Sequence, residues 1–251
     1  MNILVNDTSL GGIMAIRINK YLSESGFCSR READRLIQQN IVTINDVIAH
    51  IGAMVESQDY VKVRGTLVKR KTEHVYLAFN KPVGIISTSD QSVKENIIDY
   101  INYPKRLIHV GRLDKDSEGL ILMTTDGDIV NKILRAENNH EKEYLVQVDK
   151  PITPTFLEAM TKGVPILNTI TKPCKTFKVD SHTFKIILTE GLNRQIRRMC
   201  KHFGYKVIQL KRIRIMNISL DIPTGKYRNL TNDEKETLFE TIKHSTSQPM
   251  R

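Results

Sequence analysis

The feature that most limits the fold is a series of apolar β-type runs after residue 74. They are "VYLAFN" from Val75, "RLIHV" from Arg106, "GLILMTT" from Gly119, "KEYLVQVD" from Lys142, "HTFKIILTEG" from His182 and "YKVIQLKRIRIMNISL" from Tyr205. Stretches of helical period interrupt them: "ENIIDYIN", "DIVNKILRA", "TPTFLEAMTKG", "NRQIRRMCKHFG" and a last one after "TNDE", where Thr231 and Glu234 have capping-box spacing. Hairpin-like strands with interspersed helices predict an α+β domain over 75–242, a mainly antiparallel mixed sheet flanked by helices.

A smaller module is expected over 16–65. Helical period starts in "MAIRINKYL" at Met14, with Ile18, Tyr21 and Leu22 on one apolar face. Ser29 and Glu32 have capping-box spacing ahead of a second stripe, Ala33, Leu36 and Ile37, with Arg31 and Arg35 opposite. "VTIN" and "DYVKVRG" alternate like short strands. The order is helix–helix–strand–strand, with a basic outer surface. The charged stretch "TLVKRKTEH", 66–74, is the expected linker. Residues 1–15 read as a loose tail and 243–251 as a frayed one.

Composition narrows the function. Over 251 residues, 38 Lys+Arg against 28 Asp+Glu leave a formal charge of +10. That excess favours a polyanionic partner, nucleic acid before membrane. No apolar run approaches the roughly 20 residues of a membrane span, and the first 15 residues do not read as a secretory signal. Cys28, Cys174 and Cys200 are scattered and odd in number, consistent with a reducing cytoplasm and with neither a disulfide framework nor a metal site. The His residues offer no ligand pair at helical spacing. A monomer is expected, since no apolar stripe is left unused.

Three elements present a basic side: the small module's second helix, through Arg31 and Arg35, and two in the larger domain. On the helix at 193–203, Ile196, Met199, Cys200 and Phe203 form the core face; Arg194, Arg198 and Lys201 lie opposite, and Arg197 sits on the flank. The strand "KRIRIMN" is expected to put Arg212 and Arg214 on one side, with Ile213 and Ile215 on the other. Each is equally an ordinary solvated face; their accumulation favours phosphate binding. Between "RLIHV" and "GLILMTT" the chain places Arg112, Asp114, Lys115, Asp116 and Glu118. This gap is either a solvated turn or a carboxylate at the mouth of a cleft, and spacing does not rank Asp114, Asp116 and Glu118.

"RINKYLSESGFCSRREADRLI" resembles the S-four-type RNA-binding module. "FNKPVG", "VGRLDKDSEGLILMTTDGD", "HEKEYLV" and "EGLNRQIRRMC" together resemble the pseudouridine synthases of the RsuA/RluF class, in order, from about residue 16 to about 240. "NNHEKEYLV", "KGVPIL", "NRQIRRMCKHFGY" and "RIRIMN" are most similar to the RluF-type enzymes of large-subunit (23S) rRNA. The resemblance implies conversion of uridine to pseudouridine in folded RNA, without cofactor or metal. It implies that Asp114 is the catalytic carboxylate, that Arg197 pairs with it, that Tyr144 packs against the target base, and that Lys142 and Ile196 complete the pocket. Arg112 corresponds to a residue that helps displace the base. In the small module, Arg17, Lys20, Ser29, Arg30, Arg31 and Arg35 are the expected RNA contacts.

The chemistry is intelligible from these groups. The N1–sugar bond breaks and the sugar rejoins at C5, with no redox change. An ionised carboxylate either attacks the anomeric carbon or takes a proton from the neighbouring ribose carbon. Burial alone would neutralise it, and a guanidinium opposes that. An aromatic ring supports a flat base without fixing its in-plane orientation. Unstacking the target costs a few kcal/mol, which phosphate contacts offset. The alternatives are a sister enzyme acting on another rRNA site or a tRNA anticodon loop, and a non-catalytic RNA-binding assembly factor.

Overall fold

The computed structural model describes residues 15–69 and 73–246. It divides into two compact units, separated between Glu73 and His74.

The first unit contains β1 (Ile16–Arg17), α1 (Ile18–Glu24), α2 (Arg30–Gln38), β2 (Val42–Ile44), β3 (Val47–Ile48), β4 (Met54–Val55), β5 (Val61–Val63) and β6 (Thr66–Val68). β1 pairs with β4, and the other strands form a sheet in the order β3-β2-β5-β6. Ile18 and Leu22 of α1, Ala33 and Ile37 of α2, and Val42, Val61 and Val63 of the sheet share one core. Residues 66–68, expected as linker, are therefore an edge strand of this unit: Val61 pairs with Val68, and the Tyr21 hydroxyl donates to the Val68 carbonyl at 3.0 Å. The capping box at Ser29 is half-made. Ser29 Oγ accepts from the Glu32 amide, but Glu32 turns outward and accepts from Arg35 Nη1 at 3.2 Å. The helical period read from Met14 begins only at Ile18, because Ile16 and Arg17 are taken by β1. Residues 1–14 of the expected tail lie outside the described residues.

The second unit contains β7 (Tyr76–Lys81), α3 (Ile97–Ile101), β8 (Ile108–Val110), β9 (Glu118–Thr124), α4 (Asp128–Leu134), a 3-10 turn (Ala136–Asn138), β10 (Lys142–Val148), α5 (Pro154–Thr161), β11 (Pro165–Ile166), β12 (Thr169–Ile170), β13 (Lys175–Lys178), β14 (Thr183–Leu188), α6 (Gln195–His202), β15 (Val207–Ile215), β16 (Ile218–Ser219), β17 (Tyr227–Asn229) and α7 (Asn232–Ile242). The main sheet runs β13-β14-β10-β15-β9-β7-β17; β8 pairs with β9 and β16 with β15. β9 and β15 run parallel, and the other pairs in this sheet are antiparallel. This is the α+β architecture with a mixed, mainly antiparallel sheet that the sequence predicts.

Helices cover the sheet in two groups. Phe156 and Met160 of α5, with Ile196, Met199 and Cys200 of α6, pack on Val146, Phe184, Ile186 and Leu210. On the other half, Leu120 and Leu122 face Ile129 and Ile133 of α4 and Leu238 of α7. Ile121 and Met123 face Ile97 and Ile101 of α3. β9 is thus buried on both faces, which is why "GLILMT" is apolar without alternation. The parallel contact needs Gly119. Its φ is +108°, and a Cβ there would stand 2.3 Å from the Arg212 carbonyl oxygen.

The capping box at Thr231 and Glu234 is complete. Of the expected frayed tail, residues 243–246 return to the fold: Asn138 Nδ2 donates to the Thr246 carbonyl at 3.0 Å, and Ser245 Oγ lies 2.8 Å from His140 Nε2. Residues 247–251 lie outside the described residues.

Candidate active site

The charged gap between the two apolar runs is the connection from β8 to β9, which pair with each other. Its backbone is pinned from several sides. Ser117 N donates to the Asp114 carbonyl at 3.1 Å and Gly84 N to the Lys115 carbonyl at 2.8 Å. Ser87 Oγ donates to the Leu113 carbonyl at 2.9 Å and accepts from Leu113 N at 3.1 Å. The "FNKPVG" segment therefore supports this connection. Within it Lys81 is fully buried, and its Nζ donates to the carbonyls of Pro82 and Ile85. Burial lowers Lys81 to about 8, opposed by the charges of Asp114, Asp116 and Glu118.

Asp114 opens onto a cleft of about 310 Å³ whose lining includes Arg112, Leu113, Lys142, Tyr144, Glu190, Arg194, Gln195, Ile196 and Arg212. These residues come from four separate stretches of chain. β10 supplies Lys142 and Tyr144 on one face, two residues apart; both are buried. α6 supplies Ile196, buried in the same core as Tyr144. Arg112 is exposed.

The guanidinium beside Asp114 is not the one expected. Arg194 Nη1 lies 3.6 Å from Asp114 Oδ2. Arg194 also donates to both carboxylate oxygens of Asp116, at 3.1 and 2.8 Å. Arg197, predicted to pair with Asp114, is turned toward Asp116 instead: its Nε stands 3.4 Å from Asp116 Oδ2. Its Nη2 donates to the Asp116 carbonyl at 2.8 Å and to Ser117 Oγ at 3.3 Å, and its Nη1 to the Val207 carbonyl at 3.2 Å. The reason is local. Arg194 precedes α6 in the left-handed conformation, φ 49°, and so leaves the outer face predicted by helical period. Arg197, within the helix, braces the β8–β9 connection through the Asp116 carbonyl and Ser117 Oγ. Asp116 is held below the usual carboxylate range, first by the Arg194 hydrogen bonds.

The strand from 207 to 215 also departs from simple alternation. Glu143 pairs with Arg214 and Tyr144 with Arg212, leaving Ile213 as the extra residue of a bulge. A bulge reverses the side-chain alternation beyond it. Arg212 and Arg214 consequently face different surroundings, against expectation. Arg214 donates to Glu143 and Glu141, each at 2.9 Å, and to the Met216 carbonyl. Arg212 is buried in the cleft, 3% exposed. Its Nε donates to the Leu120 carbonyl, its guanidinium carbon lies 5.9 Å from the Tyr144 ring centre, and its Nη2 has no hydrogen-bond partner.

Of the other basic residues on or near α6, Arg198 donates to Asn193 at its carbonyl and side chain, and Lys201 is exposed. Both stand outside the Asp114 cleft; Lys201 lines a neighbouring groove with Arg194, Arg197 and Lys206. In the first unit Arg17, Arg30, Arg31 and Arg35 are exposed, Lys20 pairs with Glu24 at 3.4 Å, and Ser29 Oγ serves as the helix cap.

Sequence reasoning missed Lys81, Glu190, Gln195 and the cleft position of Arg212. Gln195 donates through Nε2 to Glu190 Oε1 at 2.8 Å and accepts from Leu192 N through Oε1; both residues line the cleft with Asp114. A buried polar pair has no periodic signature, so only the quoted motifs carried a hint. Burial pushes the Cys174 thiol up to about 11 and Cys200 up to about 12, which leaves neither as a nucleophile at neutral pH.

A family model described as RNA pseudouridylate synthase matches residues 75–202, and one described as S4 domain matches residues 16–59. The chain is 56% identical over 237 residues to the dual-specificity RNA pseudouridine synthase RluF of Escherichia coli (strain K12), covering 93% of this chain and 82% of that protein. It is 34% identical over 239 residues to the ribosomal large subunit pseudouridine synthase B of Bacillus subtilis (strain 168), covering 91% and 97%. A crystal structure of a pseudouridylate synthase superposes with a TM-score of 0.66 at 31% identity, covering 89% of this chain and 99% of that one. With an Asp-bearing connection, a buried tyrosine and a cationic cleft already assembled by the fold, these matches establish that the chain belongs to the RNA pseudouridylate synthase family and carries an S4 domain ahead of the catalytic unit.

Proposed function

We propose that this pseudouridine synthase modifies a uridine in a stem-loop of 23S rRNA, with Asp114 as the carboxylate that acts at the sugar. The observation that carries the reading is the cleft itself. It gathers Asp114, Tyr144, Lys142, Ile196 and Arg112 around a volume of about 310 Å³, enough for one extruded nucleoside. Tyr144 supplies the platform for the base, and Arg112, exposed beside Asp114, takes the place the base leaves. Arg194 rather than Arg197 is the cation that faces Asp114. Arg197 acts through the backbone of Asp116 and Ser117, as a positioning residue.

The S4 domain extends the footprint over neighbouring phosphates through Arg17, Arg30, Arg31 and Arg35. Shape and phosphate contacts select the RNA, because the A-form major groove is too narrow for side chains to read. The protein acts as a monomer in the cytoplasm. A second class of RNA site, such as a tRNA anticodon loop, is a further reading; it is favoured by the dual specificity named for the 56%-identical relative.

The test is tritium release from 23S rRNA labelled at uracil C5, since the C5 hydrogen leaves when C5 bonds to the sugar. Pseudouridine is then mapped in rRNA from cells with and without the protein. Release from 23S rRNA, with one mapped position lost in the deletion strain, is expected. Release from tRNA alone would move the substrate. Release from no rRNA or tRNA would leave an RNA-binding assembly factor.

A further inference from the structure

We propose that Arg212 and Lys142 hold the uracil ring while it is detached from its sugar and take up the negative charge it then carries.

The two side chains are buried cations in an open cleft. Arg212 is 3% exposed and Lys142 6% exposed. Lys142 Nζ donates to the His140 carbonyl at 3.3 Å and Arg212 Nε to the Leu120 carbonyl. Neither forms an ion pair among the described residues. The buried carboxylate of the same cleft, Glu190, accepts from Gln195 Nε2 and the Lys172 amide on one oxygen, Oε1, and neither cation stands within ion-pair distance of it. Arg212 Nη2 is left without a hydrogen-bond partner although it is shielded from solvent. Burying two positive charges with no carboxylate in ion-pair contact is costly. A fold keeps such a pair where a ligand supplies the missing charge. Burial and mutual repulsion press on Lys142 in the same sense, lowering it to about 8.

Depth decides which part of the RNA arrives there. Arg112 and Arg194 line the same cleft but are exposed, so phosphates meet them at the rim. The buried end lies against Tyr144, with Arg212 alongside its ring, and a flat base fits there. The reaction supplies the anion. When the N1–C1′ bond breaks, its electron pair stays on N1 and spreads to O2 and O4. This holds whether an Asp114 oxygen bonds to C1′ or Asp114 takes a ribose proton. The ring turns and C5 donates the pair for the new C5–C1′ bond; the Asp114 oxygen–C1′ bond breaks with its pair returning to the carboxylate, or C2′ regains the proton that Asp114 took. The C5 proton then leaves to water and N1 takes one from water. Between these bond changes the detached ring is an anion, and donors fixed in advance stabilise it without reorganisation.

The inference rests on the pseudouridine synthase activity, so wild-type tritium release on the chosen RNA is established first. Single-turnover rates at saturating enzyme are then compared for wild type, Arg212→Met, Arg212→Lys and Lys142→Met. One RNA carries uridine at the target and another 5-fluorouridine, followed by loss of N-linked 5-fluorouridine from nuclease digests. Fluorine withdraws electrons and makes the departing ring a weaker base, less dependent on cations. The expected result is a rate loss of about 100-fold or more for Arg212→Met on uridine, with RNA affinity within about threefold. On 5-fluorouridine the loss shrinks to a tenth of that or less, and Arg212→Lys recovers part of the rate. Equal losses on both RNAs at unchanged affinity would overturn the proposal and make Arg212 a support for the Leu120 strand. Loss of affinity in step with rate would also overturn it, assigning Arg212 to a phosphate. If circular dichroism shows Arg212→Met unfolded, Lys142→Met and Arg212→Lys are read by the same criteria.

Discussion

Arg194 serves two carboxylates at once: it grips Asp116 with hydrogen bonds of 3.1 and 2.8 Å and stands 3.6 Å from Asp114. The shorter contacts go to Asp116, and Asp114, at the longer distance, lines the cleft. Arg197 completes the arrangement from the helix. It is the less exposed of the two arginines, 13% against 41%, and its bonds go mainly to backbone.

This division predicts different phenotypes for two neighbouring arginines. Arg194→Ala is expected to lower kcat by about 10- to 100-fold with little change in Tm, since an exposed pair contributes only about 0–1 kcal/mol to folding. Arg197→Ala is expected to lower Tm by several degrees as well, because it orphans partly buried carbonyls, at about 1–3 kcal/mol. Steady-state kinetics and thermal melts on both variants check this. Equal Tm losses would contradict the assigned roles.

Asp114→Asn keeps the size of the side chain and removes its charge. Tritium release is expected to fall by about a thousandfold or more, while RNA affinity in a filter-binding titration stays within about threefold. A variant that retains a tenth of wild-type release would move the catalytic role elsewhere, with Asp116 the next residue to change.

The basic residues of the two units should separate in their salt dependence. Arg31 and Arg35 are exposed; replacing both with Ala should flatten the slope of log affinity against log salt by about 0.7–0.9 for each phosphate that is no longer neutralised. Arg214 is already committed to Glu141 and Glu143, so Arg214→Ala should leave that slope unchanged. An altered slope for Arg214→Ala would show that the ion pairs open for RNA.

Lys81 carries a pH signature. The usual Lys value is 10.5, and burial lowers this one to about 8 in the fold. Between those values the unfolded chain holds the proton and the folded chain has released it. The folded state therefore gains stability as pH rises from about 8 to about 10.5, by up to about 1.4 kcal/mol per pH unit. Below pH 8 the charge is buried in full and the contribution is flat. Lys81→Met should remove this rise in urea denaturation measured at pH 7.5 and pH 10. An identical pH dependence in wild type and variant would mean that water reaches the ammonium.

The apolar periods of α1, α2, α6 and β9, the cap at Thr231, and the order of the quoted segments were legible without coordinates, because each depends on neighbours a few residues apart. So was the candidacy of Asp114, through the resemblance carried by "GRLD" and its companion segments. What needed the tertiary structure was every choice made between distant parts of the chain. The bulge at Ile213 exists because β10 and β15 pair out of simple register, and it alone sends Arg212 into the cleft and Arg214 to Glu141 and Glu143. The left-handed turn at Arg194 brings that side chain to Asp114 and leaves Arg197 on Asp116. Thr66–Val68 reads as a charged linker until β5 offers it an edge. A charge has the same period whether it meets water, a carboxylate or a substrate, and only packing across the sheet decides which.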